Sequence, residues 1–125
     1  MRLLEALRGI KPGNVDKVLV GDEKLGREDA RLMVEELHQA MRGAALTVTK
    51  GMPEKFVTLP HSLIPVKMLL ANGSKVPLFM HYPDTDLYYM PDPAGYHIGI
   101  AASRRVADLL HRVVADQKRR ERAAK

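Results

Sequence analysis

The residues with the clearest capacity for chemistry are a histidine and two carboxylates around a turn late in the chain. His81, Asp84 and Asp86 lie within this one turn. Imidazole and carboxylate groups are ligands that zinc, manganese and iron use in proteins. Their spacing matches no established metal signature, and aspartates are common in turns because their side chains hydrogen-bond the turn backbone. We therefore predict a structural role for these residues, no metal site and no cofactor.

A hydrolytic or acid–base site has no better support. Ser62, Ser74 and Ser103 fit a turn, a hairpin loop and a helix N-cap, and the chain has no G-x-S-x-G pattern. Asp84 and His97 remain open as an acid–base pair, because a sequence does not show contacts across a fold. The absence of cysteine excludes disulfides, thiolate catalysis and the common structural zinc sites. We predict no catalytic residues and a protein that is not an enzyme.

The main charge feature is a basic C-terminal end. The chain carries a net charge of +5, and the 23 residues from Ser103 to Lys125 hold eight Lys/Arg against three Asp/Glu. The preceding part is neutral, with twelve of each sign. A neutral body with one basic end predicts a localised contact with an acidic partner, and arginine suits bidentate phosphate contact. The predicted binding residues here are Arg112, Lys118, Arg119, Arg120 and Arg122.

Tyrosines offer a second possible contact with nucleic acid. Aromatic side chains on a sheet can stack on unpaired bases. Tyr88 and Tyr89 are adjacent, so their side chains must point to opposite faces of a strand and only one of them can lie on an exposed platform. We add Tyr88 and Tyr96 to the predicted nucleic-acid or partner-binding residues. No nucleic-acid-binding sequence motif accompanies them.

The element that positions these residues is an antiparallel meander from Pro65 to Met90. Asn72-Gly73 separates two apolar runs, which is the strongest short-range hairpin signal in a sequence. A second turn is predicted over residues 83–86, followed by a strand from Leu87 to Met90. Pro77 cannot donate a hydrogen bond to a neighbouring strand, so it predicts a local irregularity in the middle strand.

Two helices with apolar stripes are predicted to pack on this sheet. Residues 27–42 and 103–120 repeat apolar side chains at helical spacing, and the second stripe ends at Val114. A short N-terminal helix is expected over Arg2–Arg8, and residues 21–26 are expected to form a loop. Further strands are predicted at Lys17–Val20, Ala45–Thr49, Phe56–Leu59 and Tyr96–Ile100.

These patterns predict a single α+β domain over residues 1–125, with residues 115–125 as a projecting basic helical end. The predicted function is non-catalytic binding, in which that end contacts nucleic acid, a nucleoprotein complex or an acidic partner. The alternative is a protein–protein assembly or inhibitory module of the phage, mobile-element or complex-subunit type. That module would make a protein partner or homo-oligomer contact without nucleic acid. We expect a cytoplasmic location and no membrane contact, because no run of 18 apolar residues and no signal-peptide pattern occurs.

Overall fold

The computed structural model describes residues 7–42, 46–51, 63–82, 84–90 and 95–124. These ranges contain the following elements: β1 (Val15–Val20), β2 (Glu23–Lys24), α1 (Arg27–Arg42), β3 (Leu46–Lys50), β4 (Leu63–Leu70), β5 (Lys75–His81), β6 (Leu87–Tyr89), β7 (Tyr96–Ile100) and α2 (Arg104–Ala124). The predicted α+β class is confirmed.

All seven strands join one antiparallel sheet in the order β2-β1-β4-β5-β6-β7-β3. The predicted meander is confirmed as β4, β5 and β6. At its first turn, Gly73 adopts a φ of 89°, and the Ser74 N–H donates a 2.9 Å hydrogen bond to Asn72 Oδ1. Glycine tolerates this left-handed conformation because it has no Cβ. The turn therefore depends on both residues that predicted it.

The prediction of an irregular strand at Pro77 was wrong. The β4–β5 register is continuous from Leu63 opposite His81 to Leu69 opposite Lys75, and Pro77 lies opposite Lys67 within it. The Leu70 N–H donates to the Ser74 carbonyl, so by alternation the nitrogen of Pro77 points away from β4. On that side β6 pairs only with Leu78, Phe79 and Met80 of β5. Pro77 thus lies beyond the end of β6, where no donor is needed.

The predicted loop over residues 21–26 contains a strand. Glu23 and Lys24 form β2, which pairs with Val20 and Leu19 of β1 after a tight turn in which Gly21 has a φ of 61°. A strand of two residues is too short to show an alternating apolar pattern, which is why sequence reasoning missed it.

Both helices pack on the same face of the sheet. They run antiparallel, because Asp29 of α1 pairs with Arg112 of α2 while Glu36 pairs with Arg105. The core contains the buried stripe residues of both helices together with one face of the strands. That set includes Met33, Val34, Leu37, Val106, Leu109, Leu110, Val113 and Val114 from the helices and Val18, Val66, Met68, Leu78, Met80 and Ile98 from the sheet.

Ser103 caps α2 as predicted, because its Oγ accepts a 3.3 Å hydrogen bond from the Val106 N–H. Of the predicted N-terminal helix, only Leu7 and Arg8 lie within the described residues, and Leu7 is buried in the core. The predicted strand Phe56–Leu59 lies outside the described residues. Within the ranges that the structure describes, neither α1 nor α2 has the length and apolar character needed to span a membrane.

Candidate nucleic-acid interface

Contacts between the basic end of α2 and the body of the protein extend beyond Val114, where the apolar stripe ends. Gln117 Nε2 donates a 2.6 Å hydrogen bond to the carbonyl of Val20, and Arg120 Nη2 lies 2.5 Å from Glu23 Oε2. Lys118 Nζ lies 4.6 Å from the centre of the Tyr82 ring. The expectation that the helix projects from Ala115 is therefore corrected: its contacts with the sheet continue to Arg120. Polar contacts of this kind leave no periodic signal in a sequence.

Most of the cations predicted to bind an acidic partner are already paired with carboxylates. Arg112 Nη2 lies 2.9 Å from Asp29 Oδ2, Arg119 pairs with Asp116, and Arg120 pairs with Glu23 as described above. Arg122 is exposed and has no ion-pair partner among the described residues. The local carboxylates therefore offset much of the positive charge that the sequence places at this end.

The two predicted tyrosines lie on opposite faces of the sheet. Tyr88 pairs with Phe79 on one side and Gly99 on the other, and these positions face away from the helices. Tyr96 pairs with Lys50 and shares its face with the buried Ile98, so it lies on the helix side. Tyr96 is 56% exposed because it lies near the edge of the sheet. The structure thus does not bring Tyr88 and Tyr96 into one binding surface.

Tyr88 lies across Gly99 on the face opposite the helices, which we call the outer face. A Cβ at Gly99 would stand 3.3 Å from Tyr88 Cε1, so the absence of a side chain there lets the ring approach β7. Beside the ring is a cavity of about 270 Å³, whose lining includes Thr47, Thr49 and Asp86. The neighbouring Tyr89 points to the opposite side and packs against the core.

Four lysines occupy outward positions on the half of the sheet formed by β2, β1, β4 and β5. One cross-strand row reads Lys24, Leu19, Lys67 and Pro77, and the next reads Lys17, Leu69 and Lys75. The lysines are exposed and the two leucines between them are half-buried. We call Lys17, Lys24, Lys67 and Lys75 the lysine face.

The lysine face is not neutralised by its own strands. Apart from Asp16 in the bulge of β1, no outward position of β2, β1, β4 or β5 carries a carboxylate. None of the four lysines forms an ion pair with a described residue. Residues two strands apart in a row, such as Lys24 and Lys67, are separated by about 10 Å at their Cα atoms. The result is a positively charged surface with apolar side chains interleaved.

Cations continue from the lysine face around the β2 edge of the sheet. A cavity of about 600 Å³ lies there between β1, β2 and α1, and Lys17 and Lys24 line it together with Arg27 and Arg31. Glu35 in the same lining pairs with Arg31 at 2.9 Å, whereas Arg27 has no ion pair with a described residue. The cavity extends the positive surface toward the first turn of α1.

The histidine and the two carboxylates of the late turn, His81, Asp84 and Asp86, do not form one site. His81 Nδ1 lies 3.7 Å from Asp84 Oδ2, while Asp86 Oδ1 accepts a 3.2 Å hydrogen bond from the Ala102 N–H and ties the start of α2 to the sheet. No group of three or more potential ligands in the described ranges has a metal-binding arrangement. His81 and His97 are both buried at outward positions, so the outer face is open mainly at its lysine-bearing half.

Comparison with family models, curated proteins and solved structures finds no match to this chain. The lysine face was also missed by sequence reasoning, although a signal for it exists. Lys17 and Leu19 alternate with Val18 and Val20, and Lys67 alternates with Val66 and Met68. Period-2 alternation of this kind identifies lysines that share an outward face.

Proposed function

We propose that this protein is a non-catalytic binding protein for single-stranded nucleic acid, and that the outer face of the sheet is its contact surface. The observation that carries the proposal is the lysine face together with the paired aromatic residues Phe79 and Tyr88, which lie in the cross-strand row next to that of Lys67 and Pro77. This moves the expected contact from the basic end of α2 to the sheet. The reason is that the arginines of that end are largely paired with the carboxylates of the protein itself.

Each half of the outer face suits a different part of a nucleic-acid strand. Lysine ammonium groups bind phosphates as point charges, and four of them on neighbouring strands can follow a backbone across the sheet. Phe79 and Tyr88 are half-buried on the two central strands beside the lysine face. Aromatic side chains stack on any base, because every base has a π-face.

Single-stranded nucleic acid fits this surface better than a nucleic-acid duplex does. The aromatic residues can stack only on bases that are not already paired. The outer face also places no helix where one could enter a major groove, because α1 and α2 lie on the other side of the sheet. Recognition of this kind depends on charge and stacking, so we expect little preference for base sequence.

The test is a salt titration of binding to a fluorescein-labelled single-stranded oligonucleotide, followed by fluorescence anisotropy. Replacing Lys67 and Lys75 together with Gln removes two phosphate contacts. For single strands this should reduce the magnitude of the log–log salt slope by about 1.4 and weaken binding. The matched control replaces Arg104 and Arg105 with Gln, which removes the same charge from the exposed start of α2 on the other side of the molecule.

A Phe79→Leu substitution tests the stacking half of the surface. It keeps an apolar side chain at a half-buried position and removes the π-face, so it should weaken binding by about 1–3 kcal/mol with an unchanged salt slope. The proposal is overturned if native protein does not bind, or if the lysine and arginine double variants lose affinity equally. It is also overturned if deletion of residues 121–125 lowers the slope while the lysine variant leaves it unchanged.

A further inference from the structure

The two edges of the sheet are built differently. At one edge, β2 is two residues long and contains Lys24, and β1 beside it carries a bulge between Val15 and Lys17. Short edge strands, lysines and bulges are devices that prevent a sheet from pairing with another chain. The β3 edge has five residues in regular register with β7, without a proline or a bulge, and four of them are exposed. The second edge therefore lacks most of these protective features.

The open side of β3 presents backbone groups at alternate residues. The Gly51 N–H donates a 2.8 Å hydrogen bond to the Gly95 carbonyl, so residue 51 faces β7. By the alternation of an antiparallel ladder, Thr49 and Thr47 also face β7, while Leu46, Val48 and Lys50 direct their N–H and C=O groups outward. No described strand lies on that side, because β3 ends the strand order.

The sequence of β3 is self-complementary about its centre. Thr47-Val48-Thr49 reads the same in both directions. If a second β3 pairs with it antiparallel across a two-fold axis at Val48, each Val48 faces its copy and each Thr47 faces a Thr49. Each Leu46 then faces a Lys50. Val–Val and Thr–Thr are favourable cross-strand pairs, and this register sets no like charges directly opposite each other.

The outward backbone groups fit the same register. With Val48 at the two-fold axis, Val48 pairs with its copy and Leu46 pairs with Lys50 of the copy. All three are the residues whose N–H and C=O groups point outward. Paired in this way, the two strands form about six backbone hydrogen bonds. In a register shifted by one residue, the outward N–H and C=O groups of one strand would face residues of the other whose N–H and C=O groups already hydrogen-bond β7.

Exposed apolar side chains lie beside the same edge. Val48 is 47% exposed and Tyr96 is 56% exposed, and they are the large apolar residues that the described part of the chain leaves most open to solvent. Val48 pairs with Ile98 and Tyr96 pairs with Lys50, so both side chains lie on the helix side of the sheet. A second copy at β3 would place the two Val48 side chains in contact, in a row flanked by Ile98 of each copy, and would shield them from solvent.

We propose that β3 is a homodimer interface, at which two copies of this chain join their sheets antiparallel through a two-fold axis at Val48. The interface is isologous, since the same surface is used by both copies. It is independent of the nucleic-acid contact, because the lysine face lies on β2, β1, β4 and β5, away from the β3 edge.

In this register Val48 of one copy faces Val48 of the other, and the test depends on that pairing. Sedimentation equilibrium of the native chain should show a monomer–dimer equilibrium. Val48→Lys and Val48→Glu should each be monomeric, because two like charges would meet at the two-fold axis. An equimolar mixture of the two variants should form a heterodimer, because the charges are then opposite. Val48→Thr is the matched control and should still dimerise, since it keeps a β-branched side chain.

Four results would overturn the proposal. A native chain that stays monomeric across a concentration series into the millimolar range would remove the interface. A dimer that survives both charge substitutions would place the interface elsewhere. Monomeric charge variants that do not combine when mixed would exclude the self-paired register. Loss of the dimer in Val48→Thr would show that apolar side-chain contact at residue 48, and not pairing of the strand edges, holds the copies together. Far-UV circular dichroism of each variant verifies that the monomers are folded.

Discussion

The last turns of α2 contact the rest of the protein, although the apolar stripe of this helix ends at Val114. If residues 116–125 project freely, their deletion should leave the stability of the protein unchanged. In the structure this segment carries three contacts with the body of the protein, made by Gln117, Lys118 and Arg120. We therefore expect the deletion to lower the free energy of unfolding by about 2 kcal/mol.

The magnitude follows from the three contacts. The hydrogen bond from Gln117 to the Val20 carbonyl is partly buried and should contribute about 1 kcal/mol. The ammonium of Lys118 over the Tyr82 ring should add about 0.5–1 kcal/mol at a site open to solvent. The ion pair of Arg120 with Glu23 joins side chains that are 62% and 32% exposed, so solvent screening limits it to about 0.5 kcal/mol or less.

Urea unfolding followed by far-UV circular dichroism measures the difference, with the midpoint and the m-value fitted separately. The matched control is deletion of residues 121–125, which retains all three contacts and should change stability by no more than about 0.5 kcal/mol. A Gln117→Ala variant should account for about 1 kcal/mol of the larger effect.

Equal stability of the two deletion variants would refute this reasoning. It would mean that the polar contacts of the last turns contribute nothing, and that the helix is held only by its apolar stripe up to Val114. Loss of folding in the longer deletion alone would support a larger contribution from these contacts than we calculate.

Two further predictions concern the sheet, and both are measured by urea unfolding. Leu78→Ala should lower the free energy of unfolding by about 2–5 kcal/mol, because Leu78 is fully buried in the core. Leu69→Ala on the outer face should cost clearly less, and an equal loss would contradict the assignment of the two faces. Gly73→Ala should cost about 1 kcal/mol because the residue has a φ of 89°. Gly73→Asn should cost less, since asparagine tolerates that conformation; equal losses would argue against a backbone origin.

The sequence by itself determined the main elements and which residues share a face within each of them. The meander could be predicted because Asn72-Gly73 lies between two apolar runs. Both helices could be predicted because their apolar residues recur at helical spacing. The opposite orientation of Tyr88 and Tyr89 follows from strand geometry alone and is confirmed, with Tyr89 packed against the core. These features depend on neighbours a few residues apart, and local spacing is what a sequence displays.

Only the tertiary structure decided which face of the sheet stays open and which charges are available. Strand order, the two-residue β2 and the side on which both helices pack depend on contacts between distant segments, and no local period encodes them. The positive charge of the C-terminal end was visible in the sequence, but the carboxylates of Glu23 and Asp29 that pair with it lie more than 80 residues earlier. Charge is additive along a chain, whereas its neutralisation depends on distance in space. For that reason Arg112 and Arg120 are paired with carboxylates of the body, whereas the four cations of the lysine face have no ion pair with a described residue.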